Sequence, residues 1–136
     1  LRHKRVRNMP HSPQEFYKKM AVKGEKRRLG FFGERRAVKF LVKNGYKIVE
    51  RNFRCPFGEV DIIASKGDIL AFIEVKTRSG EAFGRPNEAV RRDRQRRYMN
   101  SARYYFSGRE IDCVVRFDII EVLNGRVNHI ENAFTA

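Results

Sequence analysis

A chain of 136 residues with 41% hydrophobic side chains, eleven Phe, five Tyr and no Trp has the size and apolar content for one domain around one core. Thirty Lys and Arg against sixteen Asp and Glu leave a net charge of +14, which attracts polyanions, either nucleic acid or anionic lipid. No run approaches the ~20 apolar residues of a membrane span, and no signal-peptide core precedes a cleavage site, so the expected partner is nucleic acid and not a membrane.

Residues 1–29 read as a basic arm. Residues 1–30 hold ten Lys or Arg and two Glu, a net +8 and more than half of the total. Pro10 and Pro13 break its early part, and residues 13–22 are expected to form at most a short helix. Residues 1–12 are expected to be disordered in the free protein, and a basic arm of this kind suits phosphate contact through counterion release.

Residues 30–136 read as one domain. Phe32, Ala37, Phe40 and Leu41 fall near helical spacing, and Asn44-Gly45 supplies a stop, predicting a helix over 30–44. A strand follows over 46–54, then a turn at Cys55-Pro56-Phe57-Gly58. Strands over 59–65 and 69–76 flank Lys66-Gly67 and predict a hairpin, the second strand buried on both faces through Ile69-Leu70-Ala71-Phe72-Ile73. A loop with Gly80 and Gly84 leads to a second helix over 87–106, with Asn87 as its N-cap. One face of that helix offers Ala89, Val90, Tyr98, Ala102, Tyr105 and Phe106 to a core; the other is dense in arginine. A strand over 114–123, the turn pair Asn124-Gly125 and a short strand over 126–130 complete the chain. The order α-β-β-β-α-β-β implies an α/β domain with a mixed central sheet and flanking helices. Cys55 and Cys113 lack partners at metal-ligand spacing, which argues against zinc and reads as reduced thiols of a cytoplasmic protein.

The chemistry concentrates in the predicted hairpin. Residues two apart in a strand share a face, so Glu59 pairs with Asp61 and Glu74 with Lys76 in direction. A two-residue turn at Lys66-Gly67 sets Ser65 opposite Asp68, Asp61 opposite Phe72 and Glu59 opposite Glu74, and all four charges then share one side. Clustered carboxylates beside a buried strand persist more readily with a neutralising cation. All-oxygen ligands suit Mg2+ or Mn2+, ions that polarise a phosphoryl group and activate water. Lys76 could orient that water or stabilise developing negative charge.

The stretch Gly58-Glu59-Val60-Asp61-Ile62-Ile63, with Phe72-Ile73-Glu74-Val75-Lys76-Thr77-Arg78, resembles the PD-(D/E)XK nuclease motif, with Val60 where the motif name has proline. More closely, residues 30–134 resemble the YraN-like family of uncharacterised bacterial proteins, through Gly33-Glu34 with Ala37, the stretches just quoted, Phe83-Gly84, Arg116-Phe117-Asp118 and Asn132-Ala133-Phe134. That resemblance implies a restriction-endonuclease-like αβββαβ core similar to that of Holliday junction resolvases. It implies Asp61, Glu74 and the Val75 carbonyl as metal ligands and Lys76 as the catalytic lysine. Glu34, which by itself reads as a solvated residue beside Arg35 and Arg36, would complete the acidic site or bind a second ion. Arg94 and Gln95 would support the ligands or touch phosphate, alongside Arg78, Arg91 and Arg97.

The expected function is a divalent-metal-dependent, endonuclease-like activity on nucleic acid, DNA favoured over RNA. The alternative is a binding module that keeps the nuclease fold with little or no cleavage. A homodimer would let two sites engage two strands. Arg116 and Asp118 share a strand face and read as a structural ion pair, and His129 as structural or exposed.

Overall fold

The computed structural model describes the backbone of residues 25–78 and 88–134, and the side chains of residues 32–78 and 92–134. The basic arm up to residue 24, the expected helix over 13–22, the glycine loop over 79–87 and the Asn87 cap lie outside the described residues.

Helix α1 spans Glu25–Lys43, beginning five residues before the apolar spacing predicts. It ends where Gly45 takes φ 89° and Tyr46 N–H donates to the Leu41 carbonyl at 2.9 Å, with Gly45 N–H on the Val42 carbonyl at 3.1 Å. This is a Schellman stop, which favours glycine because its φ is positive. The buried stripe runs through Gly33, Ala37 and Leu41. Phe32, predicted to face the core, is instead 60% exposed, because it sits about 100° around the helix from the Gly33 line.

Strands β1 (Lys47–Cys55), β2 (Gly58–Lys66) and β3 (Ile69–Arg78) form an antiparallel meander. Helix α2 (Glu88–Tyr105) then crosses back to β4 (Val114–Leu123), which runs parallel to β3, and β5 (Arg126–Phe134) returns antiparallel at the edge. The sheet order is β1-β2-β3-β4-β5. This is the α/β architecture with a mixed sheet that the element order implies. β5 runs to Phe134, four residues past the predicted end.

The helices cover opposite faces. Ala37 and Leu41 of α1 pack with Ile62, Ala64, Ala71, Ile73, Ile120 and Val122. Tyr98, Ala102 and Tyr105 of α2, with Phe106 just beyond it, pack with Phe53, Ile63, Leu70, Phe72, Phe117 and Phe134. β3 is therefore buried on both faces, and this explains its unbroken apolar run.

The β2–β3 hairpin differs from the predicted register by two residues. Lys66 pairs with Ile69, Ser65 with Leu70 and Ile62 with Ile73. The loop is Gly67-Asp68, not Lys66-Gly67, with Gly67 first at φ 58°. A two-residue loop with a positive φ at its first position favours glycine there, and lysine would be strained. A shift of two changes each residue's neighbour: the ladder extended by one step sets Asp61, not Glu59, beside Glu74. The alternation of faces also breaks along β2, where Val60 packs on the α2 side with Ile63 but Ile62 packs on the α1 side with Ala64. Glu59 is exposed and lies 3.8 Å from Arg54.

Candidate active site

The last turns of β3 put Glu74 and Lys76 on the α2 face, in line with Leu70 and Phe72, while Val75 follows Ala71 and Ile73 toward α1. Both charged residues are buried. Across the hairpin the regular pairing ends at Ile62 and Ile73. One step further the Val75 N–H donates to Asp61 Oδ2 at 2.8 Å. A carboxylate thus takes the donor that the parting strands leave free, and this fixes the Asp61 side chain beside Glu74. From α2, the Tyr98 hydroxyl donates to the Ile73 carbonyl at 3.4 Å and closes the site from above.

Glu34 arrives from the other layer. A Cβ on Gly33 would stand 1.8 Å from Thr77 Oγ1, so α1 can lie this close to β3 only because position 33 has no side chain. That contact sets the next residue, Glu34, among Arg51, Asn52 and Asp61. Asn52 takes φ 52° and its side chain hydrogen-bonds Glu34. Glu34 is buried, and its Oε1, like Thr77 Oγ1, is enclosed without a hydrogen-bond partner.

The electrostatics follow from this enclosure. Burial, then the Asp61 charge, push the Glu34 carboxyl up to about 8 against the pull of Arg51 and Asn52. Burial also pushes Asp61 up to about 7; Glu59 and Glu74 add to it, and the Val75 N–H and Arg94 oppose it. Burial lowers the Lys76 ammonium from its ordinary range, and Glu74 draws it part of the way back. Glu74 is paired with Arg94 of α2, whose Nη1 donates to its Oε1. Between Glu74, Lys76, Arg94, Gln95, Ile119 and Phe134 lies a pocket of about 10 Å³, room for a single water.

The structure therefore brings Asp61, Glu74, Val75 and Lys76 together, adds Glu34 through the Gly33 contact, and sets Arg94 and Gln95 at the pocket wall. Arg97 is exposed beside Gly58, its Cδ 3.8 Å from where a Cβ there would be. Arg78 is half-buried, with Nε enclosed and without a partner. The Arg91 side chain lies outside the described residues. Among the described residues, no three His, Cys, Asp or Glu side chains converge on a single ion position.

Two residues enter that sequence reading did not place here. Tyr98 was expected in the core and does pack there, but its hydroxyl also faces the acids. Glu121 stands directly across the parallel pair from Lys76 and is buried, and its charge favours the ammonium form of Lys76. Its signal was a lone acid within Ile119-Ile120-Glu121-Val122-Leu123. The expected Arg116–Asp118 ion pair forms at 2.8 Å on the α1 side of the sheet. Asp118 also meets His129 Nε2 at 2.8 Å and the Asn132 N–H at 2.9 Å. His129 is thus structural.

A family model described as uncharacterised protein family UPF0102 matches residues 33–122 of this chain. The chain belongs to that family. The matched span holds Glu34, Asp61, Glu74, Lys76 and Glu121. A UPF0102 protein of Thermodesulfovibrio yellowstonii is 45% identical over 106 residues, covering 78% of this chain and 95% of its own. One of Caldicellulosiruptor saccharolyticus is 47% identical over 116 residues, covering 80% and 98%. One of Clostridium perfringens is 48% identical over 95 residues, covering 69% and 78%. Membership of UPF0102 thus extends over both sides of the acidic site. Among the described residues no helix is long and apolar enough to cross a membrane.

Proposed function

We propose that this UPF0102 domain binds nucleic acid, DNA in preference to RNA, and hydrolyses its phosphodiester bonds with Mg2+ or Mn2+. One observation carries the reading: two neighbouring carboxyls, the buried Glu34 and the half-buried Asp61, are pushed toward neutrality, with Glu34 Oε1 left without a donor. Buried acids of this kind are costly unless a cation or several donors satisfy them. The donor set fits a hard divalent ion, since it is all oxygen: Asp61, Glu74 and the Val75 carbonyl, with Glu34 beside them. Such an ion, when bound, polarises a phosphoryl oxygen and makes its water a stronger nucleophile.

The chain's own groups supply the rest. Lys76, with its ammonium lowered by burial and drawn back toward the charged form by Glu74 and Glu121, faces the water-sized pocket and orients what sits there. Arg94, paired with Glu74 and partly exposed on α2, can turn to a phosphate when a cation takes over its place. The arginines of α2, with Arg78 at the end of β3, hold the strand by its backbone charges.

A second reading is a binding module without cleavage. It is favoured by the Arg94–Glu74 pair, which neutralises one ligand internally, and by the lack of a three-acid convergence among the described residues. A cleavage assay with Mn2+ over duplex, single-stranded, flap and four-way-junction DNA separates the two. Cleavage lost on Lys76→Ala, with binding retained, is the expected result. Salt-sensitive binding with no cleavage of any substrate selects the binding module.

A further inference from the structure

A second concavity opens beside the first, on the same side of the sheet. It measures about 300 Å³ and lies between α2 and the β4–β5 strands, at the lower end of small-ligand sites, which run from ~300 to 1,000 Å³. Its walls are flat and aromatic: Phe106, Phe117 and Phe134, the last two stacked with centroids 5.1 Å apart and planes at 18°. Arg103 and Asn132 bring polar groups to it, and Ile111, 56% exposed, stands at its mouth. Phe134 lines both this pocket and the small one holding Glu74 and Lys76, so the two lie on either side of one aromatic ring.

We propose that this pocket takes one unpaired nucleobase of the strand whose phosphate lies at Lys76. The inference rests on the phosphodiester reading above and names its substrate class: a nucleotide beside the reacting phosphate must be single-stranded or turned out of its stack. Four features select this occupant. The lining is aromatic and suits any base face. Asn132 and Arg103 offer hydrogen-bonding groups to a ring edge. The pocket neighbours the proposed phosphate site across Phe134. The strongly cationic α2 that forms one wall complements the polyanion to which the base is attached. A base still paired in a duplex cannot enter a cavity of this size with its partner, so the pocket discriminates against uninterrupted double helix.

The test uses the full chain in metal-free buffer, where hydrolysis plays no part, with short DNA single strands carrying 2-aminopurine at successive positions. Anisotropy of an end label reports binding, and 2-aminopurine emission reports stacking of the base. Binding should quench the emission. Ile111→Arg should restore it and weaken binding roughly tenfold, as loss of one base–aromatic stack does, although this substitution adds a positive charge that phosphate contact alone would reward. Lys39→Ala, at an exposed position of α1 on the opposite face of the sheet from the pocket, controls for general electrostatics and should leave the quenching intact. Strands that bind with unchanged emission, or equal quenching and affinity in Ile111→Arg, overturn the base pocket and leave the phosphodiester reading standing. Strands that do not bind at all overturn that reading, and the pocket with it.

Discussion

Replacing Asp61 by Asn should stabilise the metal-free protein, and by an amount that depends on pH. The Asn Oδ1 can still accept the Val75 N–H that Asp61 accepts at 2.8 Å, so the strand end keeps its tie. What disappears is an ionisable group whose folded-state value is raised from 3.8 to about 7. An acid raised by folding is a stability cost that is absent below its unfolded value, where both states hold the proton. The cost grows as pH rises from about 4 to about 7 and is constant above, because the unfolded chain releases its proton first. A shift of about three units corresponds to ~4 kcal/mol at pH 8. Coupling to Glu34, itself raised to about 8, and relaxation around the charged form reduce this to about 2–4 kcal/mol, or roughly 10 °C in Tm for a domain of this size. Thermal unfolding followed by circular dichroism, with and without Mn2+, measures the difference. The two proteins should unfold together near pH 4 and diverge up to neutrality, and Mn2+ should raise the Tm of the parent protein alone. A stability gap independent of pH, or a parent protein more stable than Asp61→Asn at pH 8 without metal, refutes the argument that burial strains this carboxylate.

Two further outcomes follow from the geometry. Gly33→Ala drives a Cβ to 1.8 Å from Thr77 Oγ1; it should cost about 1–3 kcal/mol in urea unfolding and, by lifting α1 and Glu34, weaken Mn2+ affinity beyond the stability loss. Asp118→Ala leaves Arg116, His129 and the Asn132 N–H without their common acceptor and should cost about 3–5 kcal/mol. Burial would raise the Asp118 carboxyl, but these donors together hold it below its ordinary value. Its stabilising share is therefore present above the unfolded value and lost as pH falls through the folded one, and the penalty of Asp118→Ala should shrink in acid.

Much of the fold was legible in one dimension because its signals are local. The apolar run Ile69–Ile73 announced a doubly buried strand. Asn124-Gly125 announced a hairpin, and both residues take positive φ there, 50° and 79°. Asn44-Gly45 announced a helix end, because only a residue tolerant of the left-handed region closes a helix that way. The shared direction of Glu74 and Lys76 was equally plain, since side chains alternate with period two along the regular strand β3.

Three things needed the assembled molecule. The sequence allowed several hairpin registers, and the sign of φ at Gly67 selected the one that sets Asp61 beside Glu74. Glu34 looks like a solvated helix residue until Gly33 lets α1 come down onto Thr77, a contact between residues 44 positions apart that no local pattern encodes. Glu121 meets Lys76 only through the parallel pairing of β3 and β4, which depends on where α2 returns the chain. Within regular strands such as β3, the backbone repeat alone decided which residues share a face, although Phe32 and the middle of β2 depart from it. Which of them become neighbours, and so which carboxyls are forced to share one enclosed space, was decided by packing between distant segments, and the raised values of Glu34 and Asp61 are its direct electrostatic consequence.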